Sequence, residues 1–230
     1  SPVTSSIGNS IITVVRINPK YYDFTIRSEQ TGYHTAEEWS KIEGFLAVIN
    51  PGMYHFNSQN LGYMKHYDNI YNPKLNKDNA ILAMNPKDDS VPLVQIIDRE
   101  YQDWNVLKNK YHTFTQSIRM VDLKGKNKWA LRNSKWSMSV VAMDKDDNVL
   151  FIHCRSPYRV NTFINILLQA PLNIKNMMYL EGGPEASLYL NHNGTVIKEI
   201  GSYETNFYEF NDNDNYWKIP NIIGIKKKYK

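Results

Sequence analysis

Residues 175–190 read KNMMYLEGGPEASLYL. An apolar run stops at Glu181, Gly182, Gly183, Pro184 and Glu185, and an alternating apolar run then resumes. Two adjacent glycines open φ angles closed to other residues and let a second molecule approach the backbone. A turn of this kind can hold two carboxylates at the lip of a sheet. Loops carried on rigid strands are where sites are usually built. Read by itself, the string is more simply a hairpin turn with two solvated glutamates, since a short motif is only a hypothesis.

Outward from this turn the chain alternates strands and a few helices. Upstream, SMSVVAM (137–143) and VLFIHC (149–154) pair as a hairpin across DKDDN. Asp144, Asp146 and Asn148 resemble the start of a calcium loop, but the glycine and the distant glutamate of such a loop are missing, so a hairpin turn is the reading. A helix spans about 161–169, with Asn161 as its cap, Pro171 as its stop, and Ile164, Leu167 and Leu168 as its apolar stripe. TFTQSIRMV (113–121) reads as one strand, and REYQDWNVLKNKY, after Asp98, as a helix.

Residues 57–90, rich in Asn, Lys, Asp and Tyr, read as a long and partly irregular excursion. Before it, FLAVI (45–49) is a short, fully apolar run of the buried-strand kind, ending at Asn50-Pro51-Gly52. The helix ahead of that strand opens on the capping box Thr35/Glu38 and stops at Gly44. Strands at 11–17 and 22–27 meet at Asn18-Pro19. Downstream, strands at 187–190 and 195–200 turn at NHNG, and 219–225 is a last strand. The pattern implies an α+β fold, a largely antiparallel or mixed β-sheet with about three helices around a central cleft.

Composition sets outer bounds. With 230 residues, 42% of them hydrophobic, there is ample material for a core, and we read 1–230 as a single domain. No apolar run reaches the roughly 20 residues of a membrane-spanning helix, so no transmembrane segment is expected. Ser1 rather than Met opens the chain, which leaves room for a removed leader, although none is visible. The net charge of +4 owes much to Lys226, Lys227, Lys228 and Lys230, read as a frayed, solvated terminus. No basic stripe is interleaved with aromatics in the body, which disfavours nucleic acid as a partner. Cys154 is the only cysteine. It shares a strand face with Leu150 and Ile152, so a buried thiol is expected, and adjacent His153 points the other way. The 16 tyrosines and five tryptophans suit apolar stacking against sugars and serve equally as ordinary core material.

Several polar residues end apolar strands: Asn50, His153, Arg155 and Glu181. Gln116 and Arg119 lie within a strand pattern. Converging strand ends would form one pocket in which arginines hold a phosphate in bidentate fashion, an amide holds hydroxyls, and a carboxylate works at an anomeric carbon. Each residue also has a structural reading: Arg119 in a salt bridge, Asn50 in a turn, His153 as a satisfied buried side chain. Spacing leaves that choice open.

Four segments, in order, break the tie: TAEEWSKIEGFLAVINPGMY (35–54), TFTQSIRMV (113–121), WSMSVVAMDKDDNVLFIHCRSPYRVNTFINILL (136–168) and MMYLEGGPEASLYL (177–190). Together they resemble the phosphodiester glycosidase domain family. Glu181 stands where many members have Asp, Glu185 where the signature often has Ser, and Pro51 where a small residue follows the asparagine.

The resemblance implies an exported hydrolase, periplasmic, cell-envelope or extracellular, that cleaves a sugar linked through its anomeric carbon to a phosphodiester, or a related glycosidic bond. Its partner would be a carbohydrate or sugar phosphate. It implies Glu181 and His153 within the site; we read three catalytic residues, Glu181 as nucleophile or base at the anomeric centre and His153 or Glu185, the latter a departure from the signature, for proton transfer. Asn50, Gln116, Arg119, Arg155, Ser156, Gly182 and Gly183 would bind substrate. No cofactor or metal is expected. A non-catalytic glycan- or envelope-binding module on the same fold is the alternative, and a metal-dependent hydrolase built on Glu181, Glu185 and His153 is a weaker third.

Overall fold

The computed structural model describes residues 4–228. The first two strands, β1 (Thr13–Ile17) and β2 (Tyr22–Ser28), precede helix α1 (Ala36–Glu43). The α1 capping box is complete: the Thr35 hydroxyl accepts from the Glu38 N–H, and the Glu38 carboxylate accepts from the Thr35 N–H. Gly44 closes the helix in the left-handed conformation at φ 68, as its sequence position predicts. Strand β3 (Ala47–Ile49) follows.

The stretch read as irregular holds three strands, β4 (Met64–His66), β5 (Asn69–Asn72) and β6 (Ala80–Pro86), and β7 (Val94–Asp98) comes next. The helix expected after Asp98 shrinks to one turn, α2 (Trp104–Leu107), capped by Asp103. The single strand expected at 113–121 is two: β8 (Tyr111–Ser117) and β9 (Arg119–Val121), which belong to different sheets. Then come β10 (Trp136–Asp144), β11 (Val149–Tyr158) and helix α3 (Val160–Gln169). Asn161 does not cap α3: Arg159 holds that position without a side-chain bond, and Asn161 donates to the Trp129 carbonyl instead. The chain ends with β12 (Ile174–Gly182), β13 (Ser187–His192), β14 (Thr195–Ile200) and β15 (Asn221–Lys227).

These strands form three five-stranded sheets in which every named pairing is antiparallel. The orders are β1-β11-β10-β12-β9, β14-β13-β3-β15-β2 and β5-β4-β8-β6-β7. One face of each sheet contributes to a common core that includes Phe151 and Leu180, Ile49 and Ile223, and Leu82 and Ile96. The opposite face of each is covered separately. Phe163, Ile164 and Leu167 of α3 pack on the first sheet, Trp39 of α1 on the second, and Trp104 and Leu107 of α2 on the third. Burial on both faces explains why the central strands read as unbroken apolar runs rather than alternating ones. The result is richer in β than α+β usually denotes.

Period-2 geometry divides β11 as expected. Leu150, Ile152 and Cys154 face α3, while Phe151 faces the common core. Burial pushes the Cys154 thiol up to about 12, so it stays protonated. At NHNG, Asn193 (φ 49) and Gly194 (φ 80) form the two-residue turn between β13 and β14. The basic tail is not frayed as far as it is described. Lys226 and Lys227 lie in β15, and Lys228 donates to the carbonyls of Tyr21 and Pro19. Lys230 and Ser1 lie outside the described residues. Among the described residues, no helix is long and apolar enough to cross a membrane.

Candidate active site

The EGGPE segment is not a hairpin. Strand β12, which it leaves, is in the first sheet, and β13, which it enters, is in the second. Only four residues, Gly183 to Ala186, therefore carry the chain between sheets, beyond the end of β12 where Ser139 stands opposite Glu181 and Met138 opposite Gly182. Gly183 (φ 64) and Pro184 set a single 3-10 turn, Gly183–Glu185. The positive φ favours glycine there, and a Cβ would also collide with the Glu204 carboxylate.

Two buried side chains hold this turn from behind. Asn50 Nδ2 donates to the Glu185 carbonyl (3.0 Å), while its Oδ1 accepts from the Ser187 N–H (2.8 Å) and the Ser139 hydroxyl (2.9 Å). His153 Nε2 lies 3.1 Å from the Ala186 carbonyl. Burial holds the imidazole down to about 4, so it is neutral at physiological pH.

In front of the turn lies an open cavity of about 330 Å³. Glu181, Gly182 and Glu185 line it together with Tyr54 and Glu204. The exposed side chains of His55, Phe56 and Phe207 complete the lining. None of the lining residues is an arginine or a lysine.

Withdrawal from water raises the Glu181 pKa well above the usual carboxylate range, with the Glu185 charge adding to the effect and the Gly182 N–H (3.1 Å from Oε1) partly offsetting it. Glu185 is pushed up to about 7, first by burial and then by Glu204. Burial raises Glu204 as well. The Tyr54 hydroxyl is driven well above its ordinary value by burial and by the charges of Glu181 and Glu185. Three carboxylates are gathered at one cavity with no cation among its lining residues; burial raises all three, and their mutual repulsion disfavours ionisation further.

Of the residues expected at the site, Glu181, Glu185 and Gly182 line the cavity, and Gly183, Asn50 and His153 build the turn behind it. Neutral His153 faces the Ala186 carbonyl, so the metal-binding trio with the two glutamates is not assembled. Arg155 spans the carbonyls of Ile200 (3.2 Å), Asn211 (3.0 Å) and Asn213 (2.7 Å), which fastens the loop carrying Glu204. Arg119 is engaged elsewhere, 2.6 Å from Asp98 and 2.6 Å from Glu100. Gln116 binds the carbonyls of Asn76 and Asp78 and accepts from the Tyr63 and Asn76 N–H groups. Ser156 accepts from the Ser10 N–H and fastens the N-terminal segment. The structure thus brings no guanidinium group to the cavity lining.

Glu204, Tyr54 and the two phenylalanines are lining residues that sequence reasoning passed over. Tyr54 follows the asparagine turn and closes a small loop through its bridge to Asn60. Glu204 is bridged to Trp136 at the start of β10 and to Tyr208 across a tight turn. The visible signal was the aromatic density of YETNFYEF (203–210), which has no strand or helix period.

Among the described residues, no group of three or more His, Cys, Asp and Glu side chains is placed to hold a metal ion. The chain is similar in structure to the catalytic domain of zebrafish N-acetylglucosamine-1-phosphodiester α-N-acetylglucosaminidase, auto-inhibited by its pro-peptide. That match has a TM-score of 0.64 and 13% identity, and covers 95% of this chain and 83% of that one. It is also similar to a hypothetical protein from Synechocystis, with a TM-score of 0.62 and 13% identity, over 93% of this chain and 58% of the other. At such identities the likeness speaks for the fold alone. No curated protein matches the sequence. The family model for phosphodiester glycosidase matches residues 43–226, from the last residue of α1 into β15. The chain therefore belongs to the phosphodiester glycosidase family.

Proposed function

We propose that the protein hydrolyses a glycosyl phosphodiester or a related glycosidic bond, with Glu181 and Glu185 as the working pair. The observation that carries this reading is that both carboxyl groups line one cavity, unpaired with any cation and raised above the usual carboxylate range. Such a pair can protonate a leaving oxygen and attack, or activate water, at an anomeric carbon. Glu181 is the more strongly withdrawn, so it keeps the proton and acts on the leaving oxygen. Glu185 ionises through about 7 and is the base or nucleophile. This division reverses the roles the sequence suggested, because burial falls more heavily on Glu181. The protonated state also lowers the charge that an anionic substrate meets. Asn50 and His153 are positioning residues that hold the turn.

The test is incubation with a panel of sugar-1-phosphodiesters, the N-acetylglucosamine ester among them, with release of free sugar as the readout. We expect turnover in the wild type and its loss in Glu181→Gln with the fold intact by circular dichroism. Full activity in that variant overturns the assignment. Saturable binding without sugar release would establish the non-catalytic glycan-binding alternative. The lining lacks arginine and lysine, which favours, as a second reading, a glycoside with a neutral leaving group. Neutral glycosides in the same panel separate the two. The exported location that accompanies this reading is tested by cell fractionation.

A further inference from the structure

Two of the most exposed aromatic side chains lie at one place. Phe56 is completely exposed and Phe207 is 60% exposed, and both line the carboxylate cavity. Neither sits on a loose loop. Phe56 tips a short turn closed by the His55 N–H to the Gln59 carbonyl (2.8 Å) and the Ser58 N–H to the His55 carbonyl (2.7 Å). Asn221 Nδ2 anchors the same turn through the Ser58 carbonyl (3.2 Å). Phe207 tips a turn closed by the Glu204 N–H to the Tyr208 carbonyl (2.7 Å) and the Tyr208 N–H to the Glu204 carbonyl (2.8 Å). Its ring rests edge-on against Trp217, and Arg155 fastens the parent loop. Holding a large apolar ring in water forfeits the burial that would otherwise stabilise the fold. Two rigid turns from distant parts of the chain do so at the same mouth. Rigid aromatics lose little freedom when a ligand covers them, which suits them to recognition.

We propose that Phe56 and Phe207 form a stacking platform for a second sugar ring of a neutral oligosaccharide chain, next to the ring bound at Glu181 and Glu185. The proposal rests on the second reading given above, a neutral glycoside bound at the two glutamates. A volume of about 330 Å³ lies at the small end for ligand pockets, so a chain longer than its reacting ring must lean on the mouth. The C–H face of a pyranose matches an aromatic face, and the absence of lysine and arginine from the lining favours a neutral occupant over a charged one.

The test is calorimetric titration of the intact protein with one-, two- and three-ring oligosaccharides of glucose, mannose and N-acetylglucosamine. Binding rather than turnover is read, so the result does not depend on which carboxylate is catalytic. In the wild type, at least one series binds about three- to tenfold more tightly on going from one ring to two. That gain disappears in Phe56→Ala/Phe207→Ala: the ratio of two-ring to one-ring affinity falls to about one, whatever the change in one-ring affinity, since both side chains also line the cavity. Phe210→Ala is the control, since Phe210 is 68% exposed but does not line the cavity; it leaves the gain intact. All three residues are exposed, and circular dichroism of each variant checks that it is folded before titration. No gain with length in any series, or a gain that survives the double substitution, overturns the proposal.

Discussion

The molecule contains two places where acidic side chains crowd together, and they are built on opposite terms. Where β7 ends, Asp98 and Glu100 both face the Arg119 guanidinium at 2.6 Å, and Arg119 and Asp98 are nearly buried. Charge is matched by charge there, and Arg119 holds Glu100 below its ordinary pKa. At the end of β12, Glu181, Glu185 and Glu204 share a cavity with no cation among its lining residues, and all three are raised. The first cluster ties two sheets together. The second holds unpaired acids above the usual carboxylate range, an arrangement that weakens folding and that active sites commonly tolerate.

The contrast can be broken at its strongest point by Glu181→Gln, which should reduce kcat between about 10²- and 10⁴-fold while the thermal midpoint stays the same or rises. A variant that lost its fold instead would make this glutamate structural and erase the distinction. The converse is Arg119→Ala. It leaves Asp98 buried without its partner and should destabilise the protein by about 3 kcal/mol in denaturant titrations, with the kcat of the folded fraction little changed.

A smaller effect is linked to pH. The folded-state pKa of Glu185, about 7, lies above its ordinary 4.5. The folded protein therefore binds more protons than the unfolded chain between those values, and stability contributed by this group is lost as pH rises through the window. Thermal melts of the wild type should fall by a few degrees relative to Glu185→Gln from about pH 4.5 to about pH 7. Parallel curves would mean that Glu185 is solvated. The mildest change is Glu204→Gln. Removing that charge relieves both Glu181 and Glu185, so both limbs of the kcat/KM profile should move to lower pH, with a peak change of less than about tenfold. A profile that stays in place would show that Glu204 does not act on the pair.

Much of the fold was legible wherever a local rule is strong. The Thr35/Glu38 box, Gly44 at the end of α1, the Asn193-Gly194 turn and the β10–β11 hairpin all depend on contacts between near neighbours. The misreadings share a cause. Strands β4 and β5 have three and four residues and lie, like β6, among polar loop residues, so the pairing of β5 with β4 and of β4 and β6 with β8 is not encoded locally. The break at Ile118 between β8 and β9 reflects a change of sheet, which no period reveals. Asn161 has a capping residue's chemistry, but the Trp129 carbonyl claims its amide.

Residue types determined which groups had the chemistry for the site, and the EGGPE string correctly marked where two carboxylates interrupt the β-structure. Whether a charge is matched or stranded depends on partners brought from far along the chain. Asp98 meets Arg119 across 21 residues, and Glu204 is bridged to Trp136 across 68. Only the packing of three sheets on one core decided that the arginines serve structure and that the glutamates remain unpaired. The physical reason is that pKa and reactivity follow burial and neighbouring charge, which are properties of the assembled fold rather than of the string.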